Sequence, residues 1–572
     1  MDSQKAYQYL ELEKFSNDEL QDRFRAILES SSNNRETVEA IHGVEEPEEL
    51  VLKQSQLQNY MAESIRKAEE ESEALLDDNH DVTYIDRLRM EYIEAETQQL
   101  WTFLNPNHNN NDSSIGLTES QFVENLTAAA TSLDKQRLSP LTLSMVMIGL
   151  SVGVTTPAFP FVVQNLGLTT GEYGMVISAF ALTKLMGNIP FAVLVERNGR
   201  KPYLVYSLIA ISTGVGCIGL ASGFEELYAC RLVTGLGVAA LSCAATMAVT
   251  DISTPLNRAS SFAPISAGFA AGTAMGPALG GMLIDELGVN PTFYLVGGSF
   301  LMLGGVNSIL LDETMKQPHK GFPWQQTTAF RKPKEIETST AETSSSSDSD
   351  SDTDQNNDSI QHAFKSALGQ WVPLLKEAQV RNVCIINAFY WVALAGGQMT
   401  LLPLLLTDPS GLAMTATQVG QVYMGMSFVQ VLGNPVFARV VDNVGTVPGI
   451  VTGCTMITTA MYTMPSCALA PSDNLQMAAV LGLWAAGSTL LSTSPIAHIG
   501  NTVDDSKRAQ AIALLRTAGD VGFLVGASSM GMVSDWAGSL ETAMQSSAAI
   551  LGTATSWYVA RNIMTSKLLT NK

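Results

Sequence analysis

The chain is short of positive charge. Its 572 residues include 33 Lys and Arg against 55 Asp and Glu, a net charge of −22. Gripping nucleic-acid phosphates requires clustered Lys and Arg, so no nucleic-acid partner is expected. Cysteine is scarce as well. Cys217, Cys230, Cys243, Cys384, Cys454 and Cys467 lie in or beside apolar segments with no metal-ligand spacing, and they read as small buried hydrophobes, with no metal expected. The first residues, MDSQKAYQYLELEKF, have neither a basic start before an apolar core nor an Arg-rich amphipathic pattern. Neither a cleaved signal nor a transit peptide is therefore expected. Charge of either sign is missing from most of the chain, because the charged 15 % crowds into residues 1–137 and 312–366. What remains is long apolar runs, the pattern of a membrane protein with polar extensions.

A bilayer core of about 30 Å takes roughly 20 apolar residues per helix. The runs predict spans near 140–162, 172–194, 203–222, 227–249, 261–283 and 292–311, then near 381–406, 416–439, 447–466, 475–496, 508–533 and 538–560. Loops 2–3, 4–5, 8–9 and 10–11 hold Arg197, Arg200, Lys201, Arg258, Arg439, Lys507 and Arg508. Six loops on the other side, 163–171, 222–226, 284–291, 407–415, 467–474 and 534–537, hold no Lys or Arg. The cation bias predicts both termini and the middle loop on the cytoplasmic side, in the plasma or a vacuolar or other internal membrane. Sequons at Asn111, Asn125 and Asn357 then lie on the wrong side for glycosylation.

The halves repeat. GNIPFAVLVERNG from Gly187 is similar to GNPVFARVVDNVG from Gly433, and the same offset of 246 carries Pro157 to Pro403, Gly174 to Gly420, Gly276 to Gly522 and Gly280 to Gly526. Two six-helix lobes related by a parallel repeat is a transporter architecture.

The segment Leu194-Val195-Glu196-Arg197-Asn198-Gly199-Arg200-Lys201, after Ala192, resembles the loop 2–3 signature of the major facilitator superfamily. Glu196 replaces the usual Asp and Ala192 the usual Gly, and Asp442 and Gly445 stand in the second copy. Gly199 permits a tight turn, and the cations anchor it at an anionic surface. Arg231, followed by Gly235, resembles the span 4 signature, whose Arg the family associates with proton coupling; snorkelling to the interface is the other reading. Gly272, Gly276, Pro277, Gly280 and Gly281 match the span 5 signature of the superfamily's antiporters. Gly268, Gly272, Gly276 and Gly280 form a stripe on one helix face, which admits close helix approach and is expected to form, with faces of spans 8 and 11, the moving contact between lobes. No Gly-Lys-Ser/Thr ending is present, so the stretch is no phosphate cradle.

Ionisable groups deep in spans are costly and point to function. Lys184 falls near mid-span 2, and Arg516 and Asp520, spaced i, i+4 in span 11, can pair on one face. Asp520 is the best candidate to carry a proton, against a static ion pair. Asn387, Tyr390, Trp391, Gln398 and Trp484 are candidate cavity groups for an amphiphilic organic substrate, with core packing as the alternative. Span 1 has no acidic residue, where several drug:proton antiporters carry one.

The fold expected is an all-α membrane protein of the major facilitator type, with twelve transmembrane helices. Its parts are a mainly helical N-terminal region (1–137), lobes at 138–311 and 381–562, a largely disordered central loop (312–380) and a tail (563–572). Helices are expected from SNDELQDRFRAILES, over 47–76 and over 84–104, with NHNNNDSS a flexible link. TSSSSDSDSDTDQNNDS reads as disordered, with serines suited to an acid-directed kinase. The resemblance implies a secondary active transporter, exporting or sequestering a small organic compound in exchange for protons. Alternatives are an uncoupled facilitator, a proton symporter and a transport-incompetent membrane sensor. No enzyme activity and no cofactor are implied, the proton gradient supplying the energy. The partners expected are the substrate, the bilayer, and a cytoplasmic protein or second copy meeting 1–137.

Overall fold

The computed structural model describes residues 6–30 apart from 8, 13 and 14, then 51–71, 82–106, 117–315, 365, 369–469 and 474–570. The stretches NHNNNDSS and TSSSSDSDSDTDQNNDS, and the sequons at Asn111 and Asn357, lie outside the described residues. The chain divides into two compact units. Among described residues, the first holds 6–135 and 249–262, and the second holds 136–248, 263–314 and 369–570.

The first unit is built on four helices: α1 (Asn17–Ser30), α2 (Gln54–Glu71), α3 (Val82–Leu104) and α4 (Glu119–Thr131). Ser16 Oγ accepts from Glu19 N at 3.2 Å, the cap that begins α1. Helix α4 opens with a capping box in which Thr118 and Gln121 each accept the other's backbone N–H. Just before it, Leu117–Thr118 pairs antiparallel with Val51–Leu52. That short ribbon stands inside the range expected to be helical from residue 47, and α4 lies beyond the expected helices altogether. The apolar faces meet in one core around Leu20, Phe24, Leu57, Met61, Leu100 and Phe122. Asn125 Nδ2 donates to Leu104 O at 2.9 Å inside this unit.

Loop 4–5 belongs to the same unit. Thr254 Oγ1 donates to Ala130 O at 2.6 Å, and Asn257 Nδ2 donates to Ser132 O at 2.6 Å. These acceptors sit at the C-terminal end of α4, where carbonyls have no partner within the helix. Side chains of the loop thus complete the last turn of an N-terminal helix.

The second unit contains the spans. They run Lys135–Leu166, Thr170–Asn198, Lys201–Ile218, Phe224–Ile252, Arg258–Leu287 and Val289–Leu310, then from Ala378 to Thr407, and on through Ala416–Val444, Thr446–Leu469, Asn474–Thr502, Asp505–Ala537 and Leu540–Thr570. Among the described residues, nine of these helices are both long and apolar enough to cross a membrane. Spans 8, 9 and 12, of 29, 24 and 31 residues, have the length but more polar side chains. In span 9, Thr458, Thr459 and Thr463 donate their hydroxyls to carbonyls four residues back, which satisfies them without water.

Span 7 differs from the plain helix expected. Leu394–Leu401 is a π-helix between the α-helices Ala378–Ala393 and Leu402–Thr407. Its two glycines explain how the wider turn is accommodated: a Cβ on Gly396 would fall 2.3 Å from Met530 Cγ, and one on Gly397 2.2 Å from Met461 Cε. Spans 11 and 9 pack directly on the bare backbone.

Candidate functional site

We call the end of the bundle with loops 2–3, 4–5, 8–9 and 10–11 the basic end, and the opposite one the acidic end. At the acidic end, the lobes are joined by two matching contacts. Spans 2 and 8 begin with capping boxes, Thr169 with Glu172 and Thr415 with Gln418, at positions 246 apart. In each, a backbone N–H of the first turn is satisfied by a carboxylate from the other lobe. Gly171 N donates to Asp535 Oδ2 at 2.8 Å, and Thr417 N donates to Asp285 Oδ2 at 2.9 Å. A carboxylate at a helix N-terminus is favoured by the unpaired N–H groups and the helix dipole. In the sequence Asp285 and Asp535 stand in loops without Lys or Arg, and nothing there marks a partner for them. The Thr-x-x-Glu and Thr-x-x-Gln boxes were the signal, because they mark helix starts with donors to offer. A further bridge joins the lobes where Tyr173 Oη donates to Met399 O at 3.1 Å.

The two lobes also touch backbone to backbone at this end. A Cβ on Gly174 would lie 2.3 Å from Ala527 O, one on Gly420 2.2 Å from Pro277 O, and one on Gly281 2.3 Å from Ala416 O. Eleven residues after Gly420, three turns along the same side of span 8, comes Val431, which is exposed, as is Pro435 one turn on. Ala263 and Ala267 are likewise exposed in the basic half of span 5. Spans 5 and 8 therefore meet at the acidic end and part towards the basic end.

The glycine stripe, expected on the contact between lobes, does not lie on it. Gly272 faces Val146 O, Gly276 faces Leu150 O and Gly153, and Gly280 faces Val154, all in span 1 of the same lobe. It does admit a helix at backbone distance, but the partner is a permanent neighbour. Of the signature residues, Gly281 and the Pro277 carbonyl, on another face, are the ones that reach span 8. Spans 11 and 7 repeat the packing, with Gly522 and Gly526 against Ala388 O and Val392 O.

Lys184 is the midpoint of the 29-residue span 2 helix, about 20 Å from its Gly171 end at 1.5 Å per residue. Its Nζ lies 3.1 Å from Asp520 Oδ1, so the ion pair bridges the lobes at mid-depth. The side chains keep 33 % and 22 % of their surface exposed, so the pair is neither sealed nor free in solvent. The i, i+4 pairing expected between Arg516 and Asp520 gives way to this one, and Arg516 is exposed. Its direction follows from helix geometry. On span 11, Ala527 and Gly531 face span 2, Gly519 and Gly522 face span 7, and Val521, Val525, Met532 and Trp536 form the exposed apolar side. At 100° per residue, Arg516 falls between the span 2 and span 7 sectors, opposite the apolar side.

Arg231 does not snorkel. It is 8 % exposed, with its guanidinium carbon 5.0 Å from the ring centroids of both Phe159 and Phe180, and its Nε has no hydrogen-bond partner. Phe180 is one turn from Lys184 on span 2. Asn387 Nδ2 donates to Leu515 O at 3.0 Å, tying span 7 to span 11. Trp391 lies against Gly519, its ring 5.6 Å from Tyr390 and 6.2 Å from Phe523. Gln398 is buried in the π-helix, where its carbonyl accepts from Tyr423 Oη and its Oε1 has no partner. Trp484 is fully buried in the C-terminal lobe's core and serves as packing there, not as a cavity wall.

At the basic end, Gly199 has φ 98° and its repeat partner Gly445 φ 106°, conformations open to glycine. Glu313, absent from the expected motif, accepts from Arg200 N at 2.8 Å and Lys201 N at 3.1 Å. Arg200 Nη1 reaches back to the carbonyls of Val195 and Glu196 at 3.2 Å. Leu194 is half-buried, while Glu196, Arg197 and Asp442 are exposed. The turn is thus held by Glu313, just after span 6.

The sequence matches the profile of the Major Facilitator Superfamily over residues 141–413 and 397–568. The chain belongs to this superfamily. Membership makes it a multi-pass membrane transporter protein, not an enzyme. Among curated relatives, the quinolone resistance protein NorA of Staphylococcus aureus is 25 % identical over 176 residues, 31 % of this chain and 45 % of that protein. Multidrug resistance protein 1 of Bacillus subtilis is 27 % identical over 184 residues, 32 % of this chain and 47 % of its own. This chain thus spans about half the length of those relatives. In fold it resembles a bacterial homologue of the human lysosomal transporter Spinster, crystallised inward-facing and unoccupied, at TM-score 0.56 and 16 % identity over 75 % of this chain and 98 % of that one. It also resembles the nucleoside transporter NupG at TM-score 0.56 and 12 % identity over 74 % and 99 %.

Proposed function

We propose that this transporter moves a small organic compound by alternating access, coupled to protons, with Lys184 and Asp520 as the coupling element. The observation that carries this reading is the ion pair joining the lobes at mid-depth. Neutralising Asp520 removes one of the links between lobes and leaves Lys184 without its counter-charge, so proton binding biases the lobe equilibrium. The cation bias of the loops supports a cytoplasmic basic end. On that orientation the lobes stand open to the cytoplasm, closed outside by the Asp285 and Asp535 contacts.

The span 5 signature favours exchange of substrate for protons. Cotransport is the second reading, favoured by the excess of cations over carboxylates around the pair. The test is proton flux in proteoliposomes carrying an imposed pH gradient, with substrates screened for gradient-driven movement. Asp520→Asn is expected to abolish the dependence on the gradient while the folded protein remains in the bilayer. Unchanged gradient dependence in Asp520→Asn overturns the role given to this residue.

A further inference from the structure

Set aside two turns at each helix end, and the described residues of spans 2, 4, 7 and 11 hold four charged groups: Lys184, Arg231, Arg516 and Asp520. Three are cations and one is an anion. Asp520 neutralises Lys184 at 3.1 Å. Arg231 lies buried among aromatic rings with Nε unpartnered, one turn from Lys184 towards the acidic end by way of Phe180. Arg516 is exposed one turn from Asp520 in the opposite direction, in the sector between the span 2 and span 7 contacts. Two uncompensated cations flanking an ion pair at membrane depth are costly unless something brings negative charge to them.

We propose that the transported compound is an organic oxyanion, a carboxylate or phosphate, seated with its charge against Arg516. This rests on the transport reading above. The guanidinium fork suits a carboxylate or phosphate in two-point contact. Trp391, set against Gly519 one residue from Asp520, offers the adjacent apolar wall. The other elements packed on span 11 add no carboxylate at this level. Span 7 contributes Cys384 and Tyr390, span 10 His498, and span 12 Glu541 near its start with Tyr558 and Arg561 towards its far end.

The same geometry favours the second reading, cotransport, over the exchange suggested by the span 5 signature. A proton on Asp520 frees Lys184 as a second donor to the anion, so each ligand strengthens the binding of the other. Proton and anion then bind together, which is cotransport.

The test uses the purified full-length protein and three probes of one size: 2-naphthoate, 2-naphthyl phosphate and 2-naphthylmethylammonium. Thermal stabilisation by each is measured in the unaltered protein and in Asp520→Asn. One or both anions are expected to stabilise the protein, more strongly in Asp520→Asn, where Lys184 is free as a second donor, and which one separates carboxylate from phosphate. Arg516→Gln is expected to weaken that binding by about tenfold or more, while Arg561→Gln keeps it. Weaker binding of the anion in Asp520→Asn than in the unaltered protein overturns the coupling described. Stabilisation by the ammonium probe instead, through Asp520, overturns the anion assignment and leaves proton-coupled transport standing. Stabilisation by neither anion overturns it as well, while the pH-gradient assay judges the transport reading independently.

Discussion

Lys184 and Asp520 show what single residues add to a packed bundle. Each was legible as a charge at membrane depth, but their partnership was not. Helix periodicity predicts neighbours within one helix, three or four residues apart, and Asp520 has Arg516 at that spacing. Which residues meet across lobes depends on how two helices pack over their whole length. The sequence therefore identified both members of the pair and assigned one of them the wrong partner. Trp484 was left between two readings for a related reason: a large aromatic in a span looks the same from its neighbours whether it faces a cavity or the core, and the structure places it in the core. At this scale the glycine contacts make a sharp prediction. Gly276→Ala is expected to destabilise the protein by about 1–3 kcal/mol, because even a Cβ would stand 2.6 Å from Leu150 O and 2.7 Å from Gly153 Cα. Gly298→Ala, with nothing within 4 Å, should leave the melting temperature of the detergent-solubilised protein unchanged. Equal effects of the two substitutions would contradict the packing described for span 5.

Among the elements, the helix starts at the acidic end carry most of what the sequence concealed. The capping boxes at Thr169 and Thr415 were present in the sequence, and their common offset of 246 made them members of the repeat. Their orphan N–H groups are met by Asp535 and Asp285 from the opposite lobe. Each such contact contributes about 0.3–1 kcal/mol, up to about 2 when partly buried. The double variant Asp285→Asn, Asp535→Asn is therefore expected to shift the lobe equilibrium by about three- to thirtyfold towards opening at the acidic end. A cysteine introduced as Ala527→Cys, a position buried against Gly174, reports this. Its modification by a membrane-impermeant thiol reagent should rise in the double variant. Unchanged modification would mean that these carboxylates do not hold the acidic end closed.

At the scale of the whole molecule, composition alone separated the polar extensions from the spans, and the repeat alone established two lobes. It did not show that loop 4–5 belongs to the N-terminal unit. That knowledge required Thr254 and Asn257, two unremarkable polar residues, to be found on the terminal carbonyls of a helix more than a hundred positions earlier. Their bonds lie within the first unit and join residues 249–262 to the end of the helix Glu119–Thr131. Replacing both, as Thr254→Val with Asn257→Leu, leaves the buried Ala130 carbonyl unmet at about 1–3 kcal/mol and returns the more exposed Ser132 carbonyl to solvent at a smaller cost. Limited proteolysis is expected to cut residues 117–135 faster in this variant, with the spans still protected; unchanged cleavage would detach the loop from the stability of that unit.

The account's central claim is that the charge on Asp520 sets how the lobes stand. It is tested most directly by measuring the distance between spin labels at Asn165→Cys and Pro409→Cys, exposed sites near the acidic ends of spans 1 and 7. The distance distribution is compared with and without Asp520→Asn, above the labelling background of the native cysteines. Loss of the charge is expected to increase the population with long separation, because the mid-depth bridge to Lys184 is gone. A distribution unchanged by this substitution would contradict the claim.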